Sequence, residues 1–229
     1  MSVKNQGFTL LELSIVLVII GLIVGGLTVG SEMIKQAELG KVQKDINEYT
    51  TAVNTFKLKY SRLPGDMINA VTYWGAGTAN GDGNGRIDTV AEGARAWQHA
   101  NSAGVVPGSW PGTGTALTPG TNIPNSSVDG AGISMFYHVA AGNASTMGNG
   151  FILGTTLATS ANLNAAVTAA DAASIDTKMD DGLAASGLTR TIKGSAAGAT
   201  TCVTAGTTGT YNLSETAINC TMFFDGISN

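Results

Sequence analysis

Charge is scarce in this chain. Only 12% of its residues are Asp, Glu, Lys or Arg, and 16 acids against 12 bases leave a net charge of -4. No basic excess is available to neutralise a nucleic-acid backbone, which argues against a nonspecific nucleic-acid binder. His99 and His138 are the only histidines. Neither stands in a metal-ligand spacing or beside a serine or cysteine nucleophile, so both read as structural. Cys202 and Cys220 are the only cysteines, too few for a four-thiolate metal site. One disulfide in an oxidising compartment and two buried free thiols are the readings left. The run Gly81-Asp82-Gly83-Asn84-Gly85 follows no strand pattern and lacks the lysine of a phosphate-binding loop. Asp176, Asp180 and Asp181 could suggest a paired acid and base, but Asp180-Asp181-Gly182 at a helix end reads as a solvated terminus, and structural use is the reading adopted. No catalytic constellation emerges, and the chain reads as a non-enzyme.

What the sequence does have is apolar material in a particular order. At 43% hydrophobic content and 229 residues it has enough for one folded domain plus an appendage. Phe8 to Gly30 is almost continuously apolar, long enough at about 1.5 Å per residue to cross a hydrocarbon core of about 30 Å. Lys4 lies before it in a short polar leader, and no ordinary small-residue cleavage site follows. The expected orientation leaves the N-terminus in the cytoplasm and the body exported.

Glu32 to Lys59 is rich in helix formers and contains no proline, so the spacing predicts one helix continuing to about Tyr60. Leu39, Val42, Ile46, Tyr49, Val53, Phe56 and Tyr60 alternate by three and four, drawing one stripe. Lys41, Lys44, Asp45, Glu48 and Lys57 occupy the other faces. A free-standing coiled coil would use the same stripe. With only about three heptads and a large domain following, packing onto that domain is the reading adopted. Leu63-Pro64-Gly65-Asp66 ends the helix. The remainder, rich in Gly, Ala, Thr, Ser and Asn, suggests short antiparallel, half-buried strands at Ser134 to Ala140, Gly150 to Leu157, Thr189 to Ile192 and Ile218 to Phe224. Helices are predicted from Thr89 to Ala103 and from Leu163 to Met179.

Gly7-Phe8-Thr9-Leu10-Leu11-Glu12, followed by the apolar run, resembles the prepilin peptidase recognition site of type IV pilins and type II secretion pseudopilins. The resemblance implies cleavage between Gly7 and Phe8, N-methylation of the new Phe8 amine, and Glu12 as fifth residue of the mature chain. Independently, a carboxylate within an apolar helix costs a few kcal/mol unless paired. In the family its partner is the N-terminal amine of an adjacent subunit. The alternative is a glutamate that snorkels to lipid headgroups. Leu63-Pro64-Gly65-Asp66 with Tyr73-Trp74-Gly75, Ala96-Trp97-Gln98-His99, and Ile175 through Gly182 look like recurring blocks of such proteins, with no function to assign. Unlike many major pilins, the chain has no proline in the outer half of the membrane helix. Gly25, Gly26 and Gly30 are its flexible points. Cys202 and Cys220 would bound a C-terminal loop like the disulfide-closed region of many pilins, serving recognition or only as a staple.

Asn80, Asp82 and Asn84 place oxygen side chains at alternate positions, with Gly85 sixth and Asp88 ninth, as in calcium loops of helix-loop-helix type. The twelfth position is Ala91 rather than a bidentate carboxylate, and Glu92 falls one step late. A weak or differently completed Ca2+ site and a solvated Asn/Gly/Asp turn are the two readings. No other cofactor is expected.

The fold expected is pilin-like α+β: a leader over 1–7, a membrane and polymerisation helix over 8–30, its amphipathic continuation over 31–60, and an exported domain over 61–229 with an antiparallel sheet. The expected function is a structural subunit of a type IV pilus-like filament serving adhesion, motility or DNA uptake. Its partners would be copies of itself, prepilin peptidase, an assembly machine and the inner membrane, from which it passes to the cell surface. A pseudopilin of type II secretion is the rival within the family. The loop-rich domain and cysteine pair lean towards a pilin, and the Asn80–Asp88 loop towards a pseudopilin. A membrane-anchored binding protein that never polymerises is the rival of another class.

Overall fold

The computed structural model describes residues 7–138, 147–157, 164–193, 202–204 and 209–227, so positions 1–6 of the expected leader lie outside the described residues. Two compact units divide at Glu38 and Leu39, and helix α1, Leu10–Tyr60, contributes to both.

In the first unit the large apolar side chains from Leu10 to Ile34 are exposed, and this helix is long and apolar enough to cross a membrane. A Cβ built at Gly21, Gly25, Gly26 or Gly30 would meet nothing within 4 Å. Nothing inside the chain therefore requires glycine there.

The second unit starts where the stripe starts. Leu39, Val42, Ile46, Val53 and Phe56 are buried as their spacing predicts, and Lys41 pairs with Asp45 at 3.0 Å on an outer face. Tyr49 meets Trp97 edge-on with ring centroids 4.7 Å apart, seating helix α3, Val90–Ser102, against the stripe. Between them lies a short helix, α2, Ala70–Trp74, which the sequence reading missed. Ala70 joins Phe56 and Met67 in a small second cluster.

The sheet is antiparallel throughout, with strands β1 Gly132–His138, β2 Gly148–Gly154, β3 Val167–Thr168, β4 Thr189–Lys193 and β5 Ile218–Phe224. β5 is its centre. One edge pairs with β4 from Cys220 to Phe224, and the other is shared by β2 and β3. A long N-terminal helix with an antiparallel sheet and short helices is the α+β, pilin-like arrangement expected.

Three expectations need correction. The helix predicted from Leu163 starts at Ala169 as α4, Ala169–Met179; Leu163 itself lies outside the described residues. Val167 and Thr168 are drawn into the sheet by pairing with β5, and the Thr168 hydroxyl accepts the Asp171 N–H to cap the helix. The strands predicted from Ser134 and Gly150 each begin two residues earlier, at Gly132 and Gly148, and the second ends at Gly154 rather than Leu157, because their mutual pairing, Gly132 opposite Gly154 and His138 opposite Gly148, sets the ends. Of the residues predicted for the first, Val139 and Ala140 lie outside the described residues. Finally, β2 and β5 are buried on both faces rather than half-buried. Cys220, Met222 and Phe224 enter the main core, while Phe223 packs with Ile152 and Met147 on the other side.

Cys202 and Cys220 form a disulfide across 18 positions, tying the incoming C-terminal loop to the central strand. Replacing both cysteines by alanine is expected to lower stability by about 3 kcal/mol on the chain-entropy scale. Denaturant unfolding of the detergent-solubilised chain, oxidised against doubly substituted, checks this.

Candidate functional site

At the start of α1 the Thr9 N–H and hydroxyl both donate to Glu12 Oε2, at 2.8 and 2.9 Å, and the Glu12 N–H donates back to Thr9 Oγ1 at 3.2 Å. This reciprocal capping satisfies donors that a helix end leaves open. Gly7, Phe8 and Glu12 are all exposed, so the proposed cleavage bond and the carboxylate are open to a partner.

The Asn80–Asp88 loop is shaped differently from a calcium loop closed on its own side chains. Asn80 Oδ1 accepts the Val71 N–H at 3.0 Å, fastening α2. The Asn84 side-chain amide donates to Asp82 at 2.9 Å and to Asp88 at 3.4 Å. Asp82, exposed at the surface, belongs to a group that the sequence reading did not assemble: one carboxylate oxygen each from Asp66, Asp82 and Glu92 lie within 4.8 Å of one another.

Each member is placed by local structure. Asp66 follows the Pro64-Gly65 turn, where Gly65 has φ +86. A Cβ at Gly81 would sit 2.3 Å from the Gly65 carbonyl oxygen, so only glycine lets the two backbones lie together. The Gly85 N–H donates to Asp66 Oδ2 at 3.1 Å. Glu92 reaches the group from the first turn of α3, where it completes a capping box with Thr89 and accepts the Asp82 N–H at 3.4 Å and the Asp88 N–H at 3.2 Å. Asp66 and Glu92 are only 1% and 2% exposed. Burial, with Asp82 alongside, pushes both carboxyls up from the usual carboxylate range.

His99 ties this region together. Its Nδ1 accepts the Gly65 N–H at 3.0 Å, which leaves Nε2 to carry the proton and donate to the Ala79 carbonyl at 2.9 Å. One buried imidazole thus holds the turn before Asp66 and the strand of chain entering the Asn80 loop. His138 closes β1, with its ring 6.3 Å from that of Phe223.

Asp176, Asp180 and Asp181 also converge. Asp176 is buried and accepts the Tyr211 hydroxyl at 2.8 Å, with its carboxyl pushed up to about 6, chiefly by burial. Asp180 accepts backbone N–H groups of Leu188 and Thr189, and Asp181 accepts the Leu183 N–H and the Ser186 hydroxyl. The three carboxylates organise the chain between α4 and β4 and, through Tyr211, the disulfide-bounded loop.

Residues 3–28 match the family model for the prokaryotic N-terminal methylation motif, the prepilin-type signal of type IV pilins and pseudopilins. That motif implies processing by a prepilin peptidase and assembly into a pilus-like polymer. No curated protein and no solved structure matches the chain.

The hydrogen bonds of His99 set a measurable property of the folded state. Burial lowers its pKa to about 4, against about 6.5 in an unfolded chain. The unfolded state then binds more protons between those values, so the contribution of His99 is complete above pH 6.5 and is lost as pH falls to about 4. Nitrogen-15 imidazole spectra at pH 6 are expected to show neutral His99 with its proton on Nε2.

Proposed function

We propose that this chain is a structural subunit of a type IV pilus-like filament, cut between Gly7 and Phe8, N-methylated on Phe8, and polymerised through residues 8–30. The observation that carries the proposal is the methylation motif over residues 3–28 placed directly on a helix whose large apolar side chains are exposed from Leu10 to Ile34. Those side chains have two environments available: lipid before assembly, and the equivalent helices of other copies after it. Glycine at positions 21, 25, 26 and 30 has no packing role within the chain, and in a helix bundle it allows close backbone approach.

The chain would be held in the bacterial inner membrane by this single helix, with its C-terminal domain in the periplasm, until an assembly machine extracts it towards the cell surface. Glu12 has an intrachain role in the single chain, capping α1 through Thr9. On assembly the same carboxylate pairs with the methylated amine of a neighbour and fixes axial register, a pairing strengthened by the low dielectric of a helix core. A pseudopilin of type II secretion would use the same chemistry in a short periplasmic filament. The disulfide-bounded C-terminal loop favours the pilus reading.

N-terminal sequencing of the membrane-extracted protein, from cells with and without prepilin peptidase, tests the processing. The expected chain begins at methylated Phe8 only when the peptidase is present; a Met1 chain in both would sink the reading. Microscopy of sheared surface fractions tests assembly. Glu12→Gln keeps an acceptor for Thr9 but removes the charge, and is expected to reduce filaments at least tenfold, as Glu12→Ala does. Normal filaments from Glu12→Gln would remove the charge-pairing step, and filaments confined to the periplasm would select the pseudopilin reading.

A further inference from the structure

The carboxylate group at Asp66, Asp82 and Glu92 holds an unsatisfied atom. Asp66 is 1% exposed; its Oδ2 is bonded by Gly85, but Oδ1 is buried without a hydrogen-bond partner. A buried carboxylate oxygen left in that state is costly unless something positive meets it. The protein's own cations do not. Among the described residues, none of the three carboxylates forms an ion pair. Arg95, on the same helix as Glu92, gives its Nη1 to the Asn80 carbonyl at 3.0 Å instead, and Arg62 lies beside the loop near Gly83.

We propose that Asp66, Asp82 and Glu92 form a calcium site that joins the end of α1, the Asn80–Asp88 loop and the first turn of α3. The donor set is all oxygen, which suits hard divalent cations rather than zinc or copper. Among these, calcium accepts irregular sets of carboxylate oxygens, whereas magnesium demands near-ideal octahedral geometry and gives up its waters reluctantly. One oxygen from each of the three side chains lies within 4.8 Å of the others, close enough to share one ion. Asp82 is exposed, so an ion can reach the group from solvent at that side, and a surface cleft lined by Lys57, Ser61, Arg62, Leu63, Asp66 and Gly85 touches Asp66 from another. Asn84 holds the Asp82 carboxylate through both its backbone N–H, at 3.0 Å, and its side-chain amide. This site takes one residue, Asp82, from the loop and completes it with carboxylates from outside. It is independent of the filament proposal, because its three members lie in the second unit.

The competing arrangement is a proton shared between Asp66 and its neighbours. The two differ in their response to calcium. Thermal unfolding and calorimetric titration of the full chain in detergent, after chelator treatment, are carried out with CaCl2 and with MgCl2. Calcium is expected to bind with a Kd of about 0.1 to 1 mM, the range of extracellular sites, and at 5 mM to raise Tm by about 3 °C or more, with magnesium at least tenfold weaker. Asp82→Asn, at an exposed position, and Asp66→Asn should each weaken binding at least tenfold, while raising Tm in chelator by removing repulsion. Asp129→Asn, at an exposed acid outside the group, should change neither. Should Asp66→Asn fail to fold, Asp82→Asn alone decides. Absence of calcium binding up to 10 mM overturns the proposal, as does binding that survives Asp82→Asn. An equal gain in Tm from Asp66→Asn with and without calcium identifies a protonated Asp66 and also overturns it.

Discussion

From Leu39 onward α1 buries one stripe, and that stripe shares the main core with side chains of α3, α4 and the sheet. The stripe works because the chain supplies apolar residues at alternating spacings of three and four on a helix unbroken by proline. Val42, Val53 and Phe56 are fully buried, and at about 25 cal/mol per Å2 of apolar surface each stabilises by about 2 kcal/mol. Trp97 brings α3 to this surface through Tyr49, and α3 in turn carries Glu92 and His99. Removing the stripe would thus scatter the polar groups as well as the core.

The polar groups are few, and several serve two purposes. Glu92 caps α3 and faces Asp66 and Asp82. His99 accepts from one segment and donates to another. Asp176 receives Tyr211 from the disulfide-bounded loop. In a chain with so little charge, each buried ionisable group fixes the position of a loop that lacks enough apolar surface to fix itself.

Legibility in the sequence followed the range of the interaction. The stripe was visible because a helix repeats its environment every few residues. Helix α3 was legible within a residue at each end, and the structure fixes its start locally, by a capping box between Thr89 and Glu92. β5 ran as expected from Ile218 to Phe224. By contrast β3 is two residues long and exists only through its pairing with a strand some fifty positions away, and α2 is a five-residue turn held by Asn80. The carboxylate group was legible only in pieces. The loop stands out by its Asn/Gly/Asp alternation, but Asp66 sits in a Pro-Gly turn sixteen positions before Asp82, and Glu92 falls one step out of loop spacing. Neither position announces that the turn and the helix start fold back onto Asp82. The N-terminal segment was the opposite case, since Gly7 through Glu12 and the apolar run carry their meaning in consecutive residues.

β5 pairs along both edges and is buried on both faces, yet it is made after every other strand of the sheet it centres. Ribosomes deliver a protein from its N-terminus, and so does any channel that threads it in the same direction. Until Ile218–Phe224 emerges, β1 and β2 are a lone hairpin, β3 and β4 have no partner, and Cys202 has no thiol to meet. The long helix is therefore complete well before the core that its stripe enters can close. That interval leaves the apolar stripe from Leu39 through Phe56 bare until the last strand of the sheet arrives to cover it.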